Sequence, residues 1–200
     1  EGQRRFQDVP GLIYKDNGKI IMNPYGEDPD FNDYPNPARH LLPNDLYAEF
    51  TTERKNFTVM VTSKGCPHEC LFCEAGHTRY NPRSPEIVLK EIEECYSRYN
   101  IREIDFFDYD FCIDRRRIEE ICNGIIKKRW DVTWACRTRV DYVDETLLRL
   151  MKAAGCARIY FGIESGVQEI LDGLNKGIHL RQIRYAIETT RSIGIKALGF

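Results

Sequence analysis

Three closely spaced cysteines are the residues of this chain best suited to bind a metal. Cys66, Cys70 and Cys73 have the spacing C-x3-C-x2-C, and they follow the apolar run 57–62, which predicts a strand. Thiolates are ligands that both iron–sulfur clusters and zinc accept. Three thiolates hold three corners of a cubane 4Fe–4S cluster and leave the fourth iron open, whereas the usual ferredoxin spacings supply a fourth cysteine. The pattern therefore indicates chemistry at the metal rather than electron storage.

A zinc site is the main alternative for the same residues. Tetrahedral zinc accepts three cysteines and one histidine, and His68 or His77 could supply the fourth ligand. Structural zinc sites more often bring their ligands as two spaced pairs, and no second pair is evident, which favours the iron–sulfur interpretation. Disulfides are a weaker alternative, because no secretory segment is visible. The other cysteines lie in apolar segments and are expected to be buried free thiols: Cys95, Cys112, Cys122, Cys136 and Cys156.

The composition is that of one ordinary globular domain. The chain has 200 residues, of which 42% are hydrophobic and 30% charged, and its net charge of −2 gives no electrostatic argument for nucleic-acid binding. No apolar run is long enough to cross a bilayer. Eight cysteines without a secretion signal predict a reducing compartment, and we expect the cytoplasm. Because the chain begins at Glu1 rather than Met and ends at Phe200 within an apolar run, we expect a piece of a longer protein.

Residues 1–54 differ in character from residues 55–200. The first segment holds six of the nine prolines and lacks helical periodicity, so we expect an irregular connector or arm. The runs 11–14 and 19–22, separated by a turn signal, could form a small hairpin. From residue 57 onward the predicted strands alternate with helical patterns, and the strands are 57–62, 103–107, 132–135, 158–161 and 196–200.

This alternation predicts an α/β fold with a parallel sheet and right-handed crossovers. It fits a full or partial (β/α) barrel, with an open doubly wound sheet as the alternative. Ligands of such folds bind beyond the carboxyl ends of the strands. The loop that carries Cys66, Cys70 and Cys73, here called the cysteine loop, follows the first strand at that end. Polar residues that follow the next three strands complete the predicted site: Asp108, Asp110, Arg137, Arg139, Glu164 and Ser165.

The cysteine loop resembles that of the radical S-adenosylmethionine (radical SAM) enzymes. Pro67 and the aromatic Phe72, next to the first and third cysteines, are part of the likeness. The resemblance implies a 4Fe–4S cluster whose open iron chelates S-adenosylmethionine, and reductive cleavage to a 5′-deoxyadenosyl radical. It also implies a partial, TIM-barrel-like (β/α) barrel, truncated here after about five strands, that acts on a small-molecule substrate with electrons from an external donor.

Residues 10–42 are similar to the connector of the cobalamin-dependent members, most clearly at Pro35, Pro37, Ala38 and Arg39. That likeness implies a cobalamin-binding domain upstream of Glu1, and methyl transfer from methylcobalamin to the substrate. A radical SAM cyclase or other oxidoreductase is the nearer rival. A methylthiotransferase would need cysteines in an N-terminal domain, and residues 1–54 contain none. A zinc or iron–sulfur structural module without catalysis is the alternative outside the enzymes.

The resemblance also implies roles for the polar residues. Asp108 or Asp110 would accept hydrogen bonds from the amino group of S-adenosylmethionine. The family's usual motif there is glycine-rich and ends in glutamate, so this sequence departs from it, and capping of the next helix is the alternative. Glu164 and Ser165 would reach the ribose or the methionyl group, unless Gly162 and a second glycine only let the chain turn.

Three further interpretations concern aromatic and basic residues. Phe72 would contact the adenine through its backbone. Arg137 and Arg139 would pair with the methionyl carboxylate or, alternatively, form salt bridges with Asp141 or Glu164. The run 115–117, which consists of three arginines, is interpreted as a solvated helix face.

Overall fold

The computed structural model describes residues 5–26, 28–76 and 78–200, so that His77, one of the alternative zinc ligands, lies outside the described residues. The strands are β1 Ile13–Asp16, β2 Lys19–Met22, β3 Phe57–Met60, β4 Ser63–Lys64, β5 Asn81–Pro82, β6 Glu103–Phe106, β7 Thr133–Thr138, β8 Cys156–Phe161 and β9 Lys196–Gly199. The α-helices are α1 Pro85–Arg98, α2 Arg115–Lys128, α3 Glu145–Ala153, α4 Gln168–Gly173 and α5 Leu180–Ser192.

The principal sheet is parallel, and its order β3-β6-β7-β8-β9 follows the order of the chain. A doubly wound sheet reverses its strand order at a switch point, and these five strands contain no reversal. β3 and β9 form the two edges, so the described strands make a partial barrel rather than a closed one. The predicted partial (β/α) barrel is therefore confirmed, and the doubly wound alternative does not apply.

Capping side chains start the first three helices. The Ser84 hydroxyl accepts a hydrogen bond from the backbone of Ile87, and the carboxylates of Asp114 and Asp144 do the same for α2 and α3. Each side-chain oxygen satisfies one backbone donor that the first helical turn leaves without a partner. Each of the three helices therefore begins directly after its capping residue.

The hydrophobic core lies between the sheet and helices α1, α2, α3 and α5. Its centre is a group of rings in which Phe106 stacks on Phe111 at 4.6 Å and meets Trp134 edge-on at 5.5 Å. The indole nitrogen of Trp134 donates to the carbonyl of Ala154 at 2.8 Å, which joins β7 to the end of α3. The five cysteines outside the cysteine loop are buried and free, as predicted.

The opposite face of the sheet, which faces the interior of the partial barrel, carries buried charges. Glu103 and Asp105 of β6 are fully buried and pair with Arg158 at 2.7 Å and Arg137 at 2.8 Å, respectively. One basic residue of the run 115–117, in helix α2, is also buried. Arg117 is 4% exposed and donates to the carbonyl of Thr62, so the solvated-face interpretation is wrong for that residue.

The N-terminal arm is fixed to the barrel by a buried arginine. Arg39 is 3% exposed, donates to the carbonyl of Val59, and pairs with Glu91 of α1 at 2.7 Å. Arg83 pairs with the other oxygen of the same carboxylate. One acidic side chain on α1 therefore balances two buried guanidinium groups. Within the described part of the chain, no helix is both long and apolar enough to span a bilayer.

We predict that Glu91→Ala strongly destabilises the protein, because Arg39 and Arg83 would stay buried without their counter-charge. The expected loss is about 3–5 kcal/mol in the free energy of unfolding, measured by urea denaturation. Glu93→Ala is the matched control, since Glu93 lies on the exposed face of the same helix and pairs with Lys128. That control should cost less than about 1 kcal/mol. Equal losses in the two variants would contradict the anchoring role.

Candidate functional site

A cavity of about 600 Å³ lies at the carboxyl ends of the parallel strands. Most of the predicted site residues line it: Cys66, Cys70, Cys73, Phe72, Asp108, Asp110, Arg137, Arg139 and Glu164. Ser165 is not among the lining residues, and its hydroxyl oxygen accepts a hydrogen bond from the backbone of Val167 at 3.1 Å. The fold thus gathers loops that are distant in sequence around one space.

A backbone hydrogen bond and one glycine shape the cysteine loop. Gly65 has φ +73°, and a Cβ there would lie 2.0 Å from the carbonyl oxygen of Arg79, so only glycine fits the turn before Cys66. The backbone of Cys73 donates to the carbonyl of Cys70 at 3.1 Å. Cys70 is buried, the other two cysteines are half-buried, and burial raises the pKa of the Cys66 thiol.

The donor set fits a cysteine-held cluster. All three cysteines line one cavity, and cysteine thiolates are the ligands that hold iron–sulfur clusters. Among the described residues, no three His, Cys, Asp or Glu side chains are gathered closely enough to hold a single metal ion. His68 lines the same cavity, and its Nε2 lies 2.8 Å from the hydroxyl of Tyr142, so this alternative zinc ligand already has a partner.

Asp108 holds the start of the cysteine loop. Its carboxylate accepts hydrogen bonds from the backbone and the hydroxyl of Thr62, both at 2.6 Å, and from the hydroxyl of Ser63 at 2.8 Å. Burial raises the pKa of this carboxyl group. Neither Asp108 nor Asp110 caps the next helix, because Asp114 does so.

Asp110 also accepts three hydrogen bonds, but two of them are longer than any of those that Asp108 accepts. One of its oxygens accepts from the Thr138 hydroxyl at 2.7 Å and from the backbone of Cys112 at 3.2 Å. The other oxygen accepts a long bond of 3.3 Å from the backbone of Arg139. Burial raises the pKa of Asp110 to about 6. Of the two aspartates, Asp110 therefore has more capacity left for a donor in the cavity.

The two arginines of β7 and its end have different partners. Arg139 forms two hydrogen bonds with Asp141, at 2.9 and 2.8 Å, which is the salt bridge weighed as the alternative for this residue. Arg137 instead pairs with Asp105 at 2.8 Å, and its guanidinium lies 3.7 Å from the ring centre of Phe107. Among the described residues, neither arginine forms an ion pair with Glu164.

Lys176 is a cavity residue that the sequence pattern did not indicate. It is 6% exposed, and its Nζ lies 2.9 Å from Glu164 Oε1 and 5.4 Å from the ring centre of Phe72. A Cβ on Gly162 would approach the same Nζ to 2.9 Å, so the absence of a side chain there leaves room for the ion pair. The left-handed residue of this turn is Glu164, with φ +65°. A lysine in a short interhelical turn carries no motif, and only the fold brings it to the cavity.

The match with known sequences identifies the class of protein. The sequence profile described as Radical SAM superfamily matches residues 60–200, and the chain belongs to that superfamily. Members of this superfamily are enzymes that use a 4Fe–4S cluster and S-adenosylmethionine. The expected class, and the enzyme role that it implies, are confirmed.

Two curated relatives match nearly the whole of this chain. It is 34% identical over 200 residues to an uncharacterized methyltransferase of Pyrococcus horikoshii, covering 98% of this chain and 43% of that protein. It is 29% identical over 192 residues to an anaerobic magnesium-protoporphyrin IX monomethyl ester cyclase of Rubrivivax gelatinosus, covering 94% and 34% of the two chains. The chain therefore spans less than half of the length of these relatives.

The chain is also similar to a solved structure. The cobalamin-dependent S-adenosylmethionine radical enzyme OxsB superimposes with a TM-score of 0.81 and 25% identity, over 98% of this chain and 30% of that protein. The fold covered by this match includes the arm as well as the partial barrel.

We predict that Asp110 makes stability fall with rising pH. Burial raises its pKa from 3.8 to about 6, so the folded state holds the proton more tightly than the unfolded chain does. The contribution is fully present below about pH 4 and is lost as the pH passes 6, by up to about 3 kcal/mol. Because burial also raises the pKa of Asp108, both proteins should lose stability as the pH rises, but urea unfolding at several pH values should show a larger fall in the wild type than in Asp110→Asn.

Asp131→Asn provides the control for that experiment. A hydrogen bond from Arg54 lowers the pKa of the exposed Asp131, so this carboxyl group does not titrate near pH 6, where Asp110 does. Its variant should keep the pH dependence of the wild type. A wild-type profile identical to that of Asp110→Asn would refute the prediction.

Proposed function

We propose that this chain binds a 4Fe–4S cluster through Cys66, Cys70 and Cys73, and S-adenosylmethionine in the adjoining cavity. The observation that carries the proposal is that all three cysteines line one cavity together with acidic and basic residues from three other strand ends. Such a cluster, when bound, supplies the electron that cleaves S-adenosylmethionine to the 5′-deoxyadenosyl radical. The residues of the chain bind, orient and shield the reactants.

The two aspartates after β6 have separate roles in this proposal. Asp108 is a positioning residue, because its carboxylate is occupied by three donors from the start of the cysteine loop. Asp110 accepts from the amino group of S-adenosylmethionine, since one of its oxygens has only a 3.3 Å bond to displace. A carboxylate next to an ammonium group forms a charge-assisted hydrogen bond.

The remaining predicted ligand contacts come from the other side of the cavity. Glu164 reaches the ribose hydroxyls, and Arg137 stays near the methionyl carboxylate while bonded to Asp105. Phe72 contributes its backbone to the adenine. Ser165 remains a proposed ribose contact. Its hydroxyl oxygen accepts a hydrogen bond from the backbone of Val167, directly before α4.

We infer that the whole protein is a cobalamin-dependent methyltransferase. The relative from Pyrococcus horikoshii is named a methyltransferase, and OxsB is described as cobalamin-dependent. The cobalamin domain would lie outside this chain, and methylcobalamin would give its methyl group to a small-molecule substrate. Cyclization is the second candidate reaction, since the Rubrivivax gelatinosus relative is named a cyclase. An external donor supplies the electrons in either case, and the cytoplasm is the expected location.

We predict that anaerobic iron–sulfide reconstitution gives a cluster that senses S-adenosylmethionine. The reduced cluster should show an electron paramagnetic resonance signal that moves when S-adenosylmethionine is added, because the ligand occupies the open iron. Changing Cys66, Cys70 or Cys73 to Ala should each abolish the cluster. Iron content, visible absorption and the resonance signal are the measurements.

Cys95→Ala is the matched control, because Cys95 is buried in α1, away from the cavity. That variant should take up the wild-type amount of iron. Tight zinc binding through the same three cysteines, without iron uptake, would instead favour the structural module. A cluster that ignores S-adenosylmethionine would contradict the proposed ligand.

A further inference from the structure

We propose that a turn after α4 positions the cysteine loop for its cluster. This turn, here called the 174–176 turn, consists of Leu174, Asn175 and Lys176. The inference rests on the proposed function and assigns a positioning role to residues that no sequence motif marks. Its subject is the chain's own loop geometry, which can be measured without the cluster.

Each residue of the 174–176 turn contacts the cysteine loop. The carbonyl of Leu174 accepts a hydrogen bond from the backbone of Leu71 at 3.0 Å. The side-chain amide of Asn175 donates to the carbonyl of Glu69 at 3.0 Å. These two bonds lie immediately before and after Cys70, so they fix the backbone that carries the central thiol.

The third contact fixes the aromatic residue before the last cysteine. Lys176 Nζ lies 5.4 Å from the ring centre of Phe72, within the range of a cation–π interaction. The same ammonium group pairs with Glu164 at 2.9 Å. Lys176 therefore links the loop that follows β8 to the loop that carries the cysteines.

The 174–176 turn is itself held by the body of the domain. The backbone of Lys176 donates to the carbonyl of Leu171, a fully buried residue of α4, at 3.0 Å. The carbonyl of Lys176 accepts a bond of 2.7 Å from Arg139 at the end of β7. Because both bonds reach fixed elements, the turn can restrain the cysteine loop rather than move with it.

The backbone of Asn175 suits this role. Its φ is +52°, in the left-handed region that asparagine enters more readily than most residues. Asn56 offers a matched comparison, with φ +63° and a side-chain amide that donates to the carbonyl of Asn100 at 3.0 Å. That second asparagine lies directly before β3, at the amino ends of the parallel strands, whereas the cavity lies at their carboxyl ends.

The test compares Asn175→Gly with Asn56→Gly in the complete chain without iron. Glycine adopts both backbone conformations without strain, so each variant removes one equivalent hydrogen bond. Hydrogen exchange at the Leu71 amide should accelerate about fivefold in Asn175→Gly, the order expected for one lost bond. Asn56→Gly should leave that amide at the wild-type rate.

A second measurement uses the reconstituted protein. Asn175→Gly should release iron to a chelator several-fold faster than either the wild type or Asn56→Gly does. Asn175→Asp, which keeps a residue tolerant of the left-handed region but loses the donor, should behave like Asn175→Gly and covers the case in which the glycine variant does not fold.

Equal Leu71 exchange in the two glycine variants would overturn the proposed positioning role. So would equal rates of iron release from them. If the wild-type chain takes up no iron at all, the proposed function fails, and the exchange experiment on the iron-free chain still decides the role of the 174–176 turn.

Discussion

The cysteine loop depends on a buried carboxylate that holds its first residues. Asp108 accepts three hydrogen bonds from Thr62 and Ser63, and the carbonyl of Thr62 accepts in turn from Arg117 and from the backbone of Arg83. A buried carboxylate without such donors is costly, so the end of β6 and the start of the loop must stay together. This connection joins the segment that leaves β3 to the end of β6, next to the cavity that the three cysteines line.

The charged interior of the partial barrel extends the same constraint below the cavity. Barrel interiors of this type are commonly filled by branched apolar side chains. Here β6 contributes Glu103 and Asp105, which pair with Arg158 and Arg137. Buried ion pairs add little net stability, but each partner is costly to leave alone. The Asp105–Arg137 pair joins the neighbouring strands β6 and β7, whereas the Glu103–Arg158 pair reaches from β6 past β7 to β8. Because Arg137 also lines the cavity, its ion pair with Asp105 connects the interior of the partial barrel to the site.

Local signals predicted the elements, and long-range contacts account for what was missed. The alternation of strand and helix patterns predicted the α/β elements, and the cysteine spacing identified the loop that carries the thiols. The pairing of Asp105 with Arg137, and the arrival of Lys176 at the cavity, join segments with no sequence relation, so no pattern could indicate them. Arg117 is different. It lies four residues before the buried Ile121, and residues four apart share one face of a helix, so helical spacing from Ile121 could have indicated its burial.

The pairing of Glu164 with Lys176 shows how the site is prepared before a ligand binds. A non-glycine residue at φ +65° is strained by roughly 1–3 kcal/mol and persists only where its surroundings hold it. Its backbone donates to the carbonyl of Phe200 at 2.9 Å, and its carboxylate is held by Lys176. A ligand hydroxyl that reaches Glu164 therefore meets an oriented carboxylate and need not order it. Since Lys176 also contacts Phe72, a ligand that shifts this ammonium group acts on the cysteine loop as well. Under the proposed function, ligand binding and cluster geometry would be coupled through this one buried cation.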